Sequence, residues 1–237
     1  LKLNILKMKS ISIIIPTFNE IQNIIPLVQK IQVSLNSKIN WEIIFVDDNS
    51  PDKTYERVKS LKKDYSNIKV IKRLNERGLA GAVLTGLNSC SYEQIIVMDA
   101  DLQHDPIFIL NLLDKMYRNE ASIVVASRFI KNSKSNNFHI LREIGSKIMI
   151  KVFNLFSSIK LNDPMSGFFI IKKDLFLKIS KNLSSDGYKI LADIILNIPK
   201  NIVVSQIPID FKQRHAGESK MSLKVLWDLL LVIIHSF

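Results

Sequence analysis

Seven acidic side chains fall at or just beyond the ends of three apolar runs: Glu20 after residues 10–16, Asp47, Asp48 and Asp52 at the end of 41–47, and Asp99, Asp101 and Asp105 at the end of 94–99. Any one of them reads more readily as a turn or a helix cap. Together, in a chain otherwise rich in Lys and Arg, they point to a cation, because clustered carboxylates repel one another unless a positive charge lies among them. The sharpest group is Asp99-Ala100-Asp101. In an extended segment residues i and i+2 project to the same side, so both carboxylates can face one point. A hard ion such as Mg²⁺ or Mn²⁺ takes one or two protein carboxylates and completes its shell with substrate phosphate oxygens and water. Metal-assisted handling of a phosphate-bearing substrate is the chemistry these residues suggest.

Such a rim needs a scaffold that brings strand ends together. Residues 10–16, 41–47, 68–72, 94–99 and 122–127 are short and rich in Ile and Val, as in strands covered on both faces. Helical spacing separates them. Asn23 is placed to cap a helix with Pro26 in its first turn and Ile24, Val28, Ile31 and Leu35 on one face. Residues 54–64, 79–88 and 106–117 show similar spacing. This alternation predicts right-handed βαβ units in an open, mostly parallel α/β sheet, where ligands bind at the carboxyl ends of the strands. Residues 140–159 read as one or two helices with Leu141, Ile144, Ile148, Val152, Leu155 and Ile159 on one stripe. Residues 167–172 and 203–211 read as further strands, with a helix near 188–196.

The 237 residues carry 33 Lys+Arg against 22 Asp+Glu, a net charge of +11, so anionic partners are expected. A hydrophobic share of 47% with 23% charged residues excludes global disorder. Cys90 is the sole cysteine, which excludes an intrachain disulfide and a cysteine-based metal site and fits a reducing compartment. No phosphate-binding Gly-x-x-x-x-Gly-Lys loop and no Gly-x-Gly-x-x-Gly follows the first strand. The glycines of residues 77–81 follow the third run and are expected to permit close helix–sheet packing. Residues 1–10 lack the apolar run and small-residue cleavage site of a secretory signal. The chain opens on Leu1, so its natural start is expected at Met8 or upstream.

The segments IIIPTFNE, FVDDNSPD, MDADLQHDP, ASRF, DPMSGFF and RHAGESKM resemble, in order and spacing, glycosyltransferase family 2. Within it they are similar to the polyprenyl-phosphate (dolichol-phosphate) mannose synthase branch, to which DPMSGFF and GESK point. The resemblance runs from about Ser10 to Met221. It implies the GT-A nucleotide-diphospho-sugar transferase fold over residues 10–221, between a tail of residues 1–9 and an apolar segment, residues 222–237, that is interfacial or begins a membrane segment.

The resemblance also implies roles. Pro16, Phe18, Glu20, Val46 and Asp48 would hold the nucleoside; Phe18 replaces a Tyr frequent in relatives and lacks its hydroxyl. Asp99, Asp101 and Gln103 would hold Mg²⁺ or Mn²⁺, with Ala100 lining the sugar nucleotide. Arg214 and Lys220 would close over the diphosphate. Arg128, which would also contact the nucleotide sugar, would grip the acceptor phosphate with Arg142 and Ser146, and Arg142 and Ser146, four apart, share a helix face. Residues 163–167 would shape the acceptor floor or form a structural turn.

The implied reaction is inverting transfer of mannose from GDP-mannose to polyprenyl (dolichyl or undecaprenyl) phosphate at the cytoplasmic face of a membrane. A phosphate acceptor is mostly dianionic at neutral pH and needs no general base, which suits Asp101, Arg128, Arg142 and Ser146 as a catalytic set that positions charge rather than moving protons. The apolar stripe of 140–159, with Lys147 and Lys151 off it, suits an interfacial helix near anionic lipid, or equally a core helix. A membrane-anchoring partner or a further C-terminal segment is compatible with this reading. Nucleic acid is disfavoured, since the basic residues are dispersed and no recognition motif is present. The alternatives are the same chemistry with UDP-glucose or another UDP-sugar, a nucleotidyltransferase, and a non-enzymatic lipid-binding module.

Overall fold

The structure, a computed structural model, describes residues 10–35, 39–130, 140–185 and 189–212, and of residues 140–144 the backbone only. The Ile- and Val-rich runs become strands buried on both faces. In β1 (Ser10–Thr17) every residue from 11 to 15 is buried, leaving no polar face to alternate with. With β2 (Asn40–Asp47), β3 (Ile68–Lys72), β4 (Gln94–Met98), β5 (Ile123–Ser127), β6 (Phe168–Lys172) and β7 (Val204–Pro208), it forms one sheet in the order β3-β2-β1-β4-β6-β5-β7. All neighbours run parallel except β6, which is antiparallel to both β4 and β5. All seven runs expected as strands are present.

Successive side chains of each strand enter opposite cores. Ile13, Ile15, Phe45, Ile96 and Phe168 pack under α1 (Ile21–Leu35), α2 (Thr54–Leu61) and, further along the chain, α4 (Ile109–Arg118). Ile14, Ile44, Val97 and Phe169 pack under α3 (Leu79–Leu87), α5 (Ile140–Phe156), α6 (Lys173–Ile179) and α7 (Ile190–Asn197). A sheet between two helical layers is the α/β architecture the alternation predicts. The strand order reverses between β1 and β4, which places the ligand crevice at their carboxyl ends.

Three local expectations change. Helix α1 starts at Ile21, and Asn23, expected as its cap, lies buried in the first turn with Nδ2 donating to Glu20 Oε2 at 2.6 Å. The true caps come from another loop: Thr54 Oγ1 accepts from Glu20 N at 2.9 Å and Asp52 Oδ2 from Ile21 N at 3.1 Å. Helix α6 was not expected, because it follows β6 with no turn residue between them. On α5 the buried face is Ser146, Met149 and Phe153, whereas Ile148 and Leu155 of the expected stripe are exposed, as is Phe156, and Ile159 lies beyond the helix end. Among the described residues no helix is long and apolar enough to cross a membrane.

Candidate active site

The seven rim acids do not form one cluster. Three of them build loops. Asp47 accepts from Ser50 N at 2.9 Å and from the hydroxyls of Ser50 and Thr17 at 2.5 and 3.2 Å. Asp52 also caps α2 through Thr54 N at 2.9 Å. Asp105 accepts from Ile107 N at 3.1 Å at the head of the turn Pro106–Phe108 and pairs with Lys212. These acids need no metal, so much of the apparent acidic rim is turn chemistry.

On the nucleoside side, Pro16 and Val46 are register partners of β1 and β2. Val46 is wholly buried, and a Cβ on Gly86 would come within 3.2 Å of its methyl, so its backbone is what it offers a ligand. The close approach of α3 to the sheet expected of the glycines near residue 80 is made at Gly86, where the same Cβ would lie 2.6 Å from Ile14. Asp48 is buried and ion-paired: Oδ1 accepts from Arg73 Nε at 2.6 Å and Oδ2 from Gly78 N at 2.9 Å. Gly78 sits at φ 140°, a conformation other residues rarely adopt. Arg77 lies over the Phe18 ring, 4.8 Å from its centroid, so an aromatic face and a guanidinium meet beside Asp48.

The Asp99–Asp101 pair lies past β4. The strand ends at Met98, and Leu102 takes φ 62°, a left-handed backbone costly for such a side chain. A bend, rather than the expected strand alternation, therefore carries Asp99 and Asp101 to one another. Asp101 Oδ1 accepts from Gln103 N at 3.1 Å. Asp99 keeps 34% of its side-chain surface exposed. Even so, lost hydration and then the charge of Asp101 push its carboxyl above the ordinary carboxylate range. Gln103 donates through Nε2 to Lys212 O at 3.2 Å, and Ala100 is buried.

These residues fit a divalent cation. Two carboxylates that resist joint ionisation would be relieved by it, and the Asp99 carboxylate is seated against Gly167, where any Cβ would collide with it. No three His, Cys, Asp or Glu side chains among the described residues form a metal cage, so such an ion would draw further ligands from phosphate and water.

Arg128, just past β5, is fixed beside this pair. Its Nε and Nη2 donate to the two oxygens of Asp163 at 2.6 and 2.8 Å. Its guanidinium carbon lies 5.0 Å from the Phe211 ring centroid. Ser146 is buried on α5. The side chain of Arg142, one turn earlier, and both Arg214 and Lys220 lie outside the described residues.

Two further residues belong here that motif reading did not single out. Burial, then Arg128, lower the pKa of Lys189, while Asp99 and Asp163 oppose the shift. His104 is 2% exposed, packs against Phe168 and Phe211, and its Nδ1 has no partner among the described residues. Burial and Arg128 push its pKa down to about 3, so it is neutral, and its Nε2 lies 3.9 Å from Asp99 Oδ2. No sequence spacing signals Lys189; His104 stands inside the MDADLQHDP segment and was legible only as part of it.

Solved structures of glucosyl-3-phosphoglycerate synthase from Mycobacterium tuberculosis share this architecture. The complex with phosphoglyceric acid superposes with a TM-score of 0.73 at 17% identity, covering 95% of this chain and 80% of that one. The complex with Mn²⁺, UDP and glucosyl-3-phosphoglycerate gives 0.71 at 16%, covering 96% and 78%. At that identity the likeness establishes the fold, which is GT-A. A model described as glycosyl transferase family 2 matches residues 12–180, and the chain belongs to that family. Dolichol-phosphate mannosyltransferase of Pyrococcus furiosus is 37% identical over 222 residues, 93% of this chain and 61% of the relative, so the chain spans about three fifths of that protein's length. The enzymes of the same name from Mycosarcoma maydis and Saccharomyces cerevisiae are 32% and 30% identical, covering 96% and 91% of this chain and 79% and 82% of theirs.

Proposed function

We propose that this chain transfers mannose from GDP-mannose to a polyprenyl phosphate at a membrane surface, with inversion at C1 and with Mg²⁺ or Mn²⁺ bound by Asp99, Asp101 and Gln103. The observation that carries the reading is the juxtaposition of the Asp99–Asp101 pair with a guanidinium, Arg128, clamped by Asp163. One side suits a metal-bound diphosphate, the other a second, incoming phosphate. The relatives named dolichol-phosphate mannosyltransferase support a mannosyl group and a dolichol-type phosphate acceptor.

The metal, when bound, supplies charge neutralisation at the diphosphate leaving group. The chain's own residues position the reactants. Arg128, with Arg142 and Ser146 from α5, orients the acceptor phosphate. One of its oxygens forms the new bond to C1 as the bond from C1 to the donor diphosphate breaks, releasing nucleoside diphosphate. No proton has to move, and His104, buried and with its pKa pushed down to about 3, is a poor base for taking one. Positioning and preorganised charge supply the rate. Phe18, Arg77 and Asp48 frame the base, and Arg214 and Lys220 close on the diphosphate.

The exposed Ile148, Leu155 and Phe156 of α5, with exposed Lys147 and Lys151 nearby, suit a helix lying on anionic lipid. The net charge of +11 favours the same surface, on the cytoplasmic side if the nucleotide sugar is cytoplasmic. A membrane-anchoring partner or further chain length would strengthen that attachment.

The test is transfer of label into lipid from GDP-mannose, UDP-glucose or UDP-N-acetylglucosamine, with polyprenyl phosphate in detergent, with and without EDTA. EDTA-sensitive transfer from GDP-mannose alone is expected. Transfer from a UDP-sugar only would replace the donor, and no lipid product from any donor would remove the acceptor. Arg142→Ala is expected to raise the acceptor KM by about 10–100-fold, the worth of a charged phosphate contact of roughly 1.5–3 kcal/mol, with nucleotide affinity unchanged; equal damage to both would displace Arg142 from the acceptor side.

A further inference from the structure

The turn formed by residues 163–167 touches both halves of the site. An antiparallel strand begins where its parallel neighbours finish. Because β6 lies between β4 and β5, the turn that leads into it sits at the carboxyl ends of both. Register makes the placement specific: Phe168 pairs with Met98 and Phe169 with both Val97 and Val125. The residue before Phe168 therefore lies beside the residue after Met98.

The contacts follow that placement. Asp163 is fully buried, and its carboxylate accepts from Arg128 N at 3.2 Å as well as from the guanidinium. Ser166 N donates to Asp163 O at 3.2 Å, closing the turn, and Ser166 Oγ donates to Ala126 O at 2.7 Å, tying it to β5 two residues before Arg128. At the far end, a Cβ on Gly167 would fall 2.1 Å from Asp99 Oδ2, 2.5 Å from Cγ and 2.7 Å from Oδ1. The Asp99 carboxylate occupies the volume a side chain would take.

We propose that residues 163–167 are the positioning plate of the site: Asp163 aims Arg128 at the acceptor phosphate, and Gly167 admits the Asp99 carboxylate to its metal-holding position. Both halves rest on the function proposed above, the first on its phosphate acceptor and the second on its metal site, and each is tested separately. A buried carboxylate gripping both edges of a guanidinium fixes its plane, so the remaining N–H donors point in one direction before substrate arrives. Gly167 acts by absence. Asp99 is short and can rotate, so an added methyl displaces the ligand at little cost to the fold.

Two variants separate this from a turn that merely holds the fold. Gly167→Ala is expected to weaken Mn²⁺ binding, read by electron paramagnetic resonance on the full chain without substrate, at least 10-fold, with an unchanged circular dichroism spectrum. Asp163→Asn is expected to leave Mn²⁺ and GDP affinity within about 2-fold while raising the polyprenyl phosphate KM at least 10-fold. Asp163→Glu, which keeps the charge but moves the guanidinium by one methylene, is expected to show the same split and serves if the Asn variant melts below the assay temperature. Unchanged Mn²⁺ affinity in Gly167→Ala overturns the plate, as does loss of both ligands together in either Asp163 variant. Wild-type protein that binds Mn²⁺ but labels no lipid would instead overturn the proposed function, with the Gly167 measurement still deciding the metal half.

Discussion

Near the amino ends of β1 and β2 a buried glutamate sits inside a shell of donors, whereas past the carboxyl end of β4 an aspartate faces a second carboxylate. Glu42 accepts from Ser12 Oγ and Ser91 N, both at 2.6 Å, and pairs with Lys69 at 2.7 Å. Burial alone would raise its pKa, but these donors outweigh burial and lower it. Asp99 goes the other way, raised by lost hydration and by Asp101. Two short-chain acids on one sheet thus differ in whether the fold itself completes them. The Glu42 end is finished by folding; at the Asp99 end Lys189 and Arg128 oppose the rise without cancelling it, and in the function proposed above a bound cation would complete it. That contrast locates function more securely than the number of acids does, since Asp47, Asp52 and Asp105 also lie on the rim and are complete.

The largest way to break the comparison is Asp101→Asn. Lipid-linked product formation is expected to fall about 10²–10³-fold, typical for losing one preorganised electrostatic contact, while the metal-free melting midpoint holds or rises because a like charge has gone. A marked loss of stability would make the Asp99–Asp101 pair structural and erase the contrast. Next is metal itself. Mn²⁺ at 100 times its dissociation constant should stabilise wild type by about 2.7 kcal/mol, a shift of roughly 5–10 °C for a chain of this size, and Asp99→Asn should abolish that shift. An equal Mn²⁺ shift in both proteins would place the ion elsewhere.

The smallest effect sharpens the other end. Glu42→Gln should cost about 1–3 kcal/mol in urea unfolding at pH 7, with transfer intact. The folded-state pKa of Glu42 is depressed, so its contribution is present above the unfolded value of about 4.3 and disappears as pH falls through the lower folded value. The difference in unfolding free energy between wild type and Glu42→Gln should therefore narrow below about pH 4. A constant difference across that range would mean that the carboxylate charge contributes nothing.

Strands and layers were legible because burial on both faces writes itself as uninterrupted Ile and Val. The rim was legible in kind, since β1, β2 and β4 do deliver their acids to one edge. What could not be read were partners set by distant chain. Asp48 looked available until Arg73, 25 residues on, took it. Asp163 looked like a turn residue until β6 entered the sheet backwards and set it against Arg128, 35 residues before it. Asn23 lost its capping role for the same reason, because Asp52 and Thr54 already occupied the end of α1. Spacing also misjudged α5: the helix was recognised, but the stripe chosen as its apolar face is partly the outer one, because Phe153 and Met149 set the face that turns inward.

The reversed strand also dictates an order of assembly. β5 has only β6 and β7 as neighbours, and both are made later. As the chain leaves a ribosome at about 5–20 residues per second, β3, β2, β1 and β4 can already zip together, while Ile123–Ser127, five buried residues, waits several seconds for a partner. During synthesis that segment is the exposed, sticky part of the nascent chain, and β6 arrives as its cover.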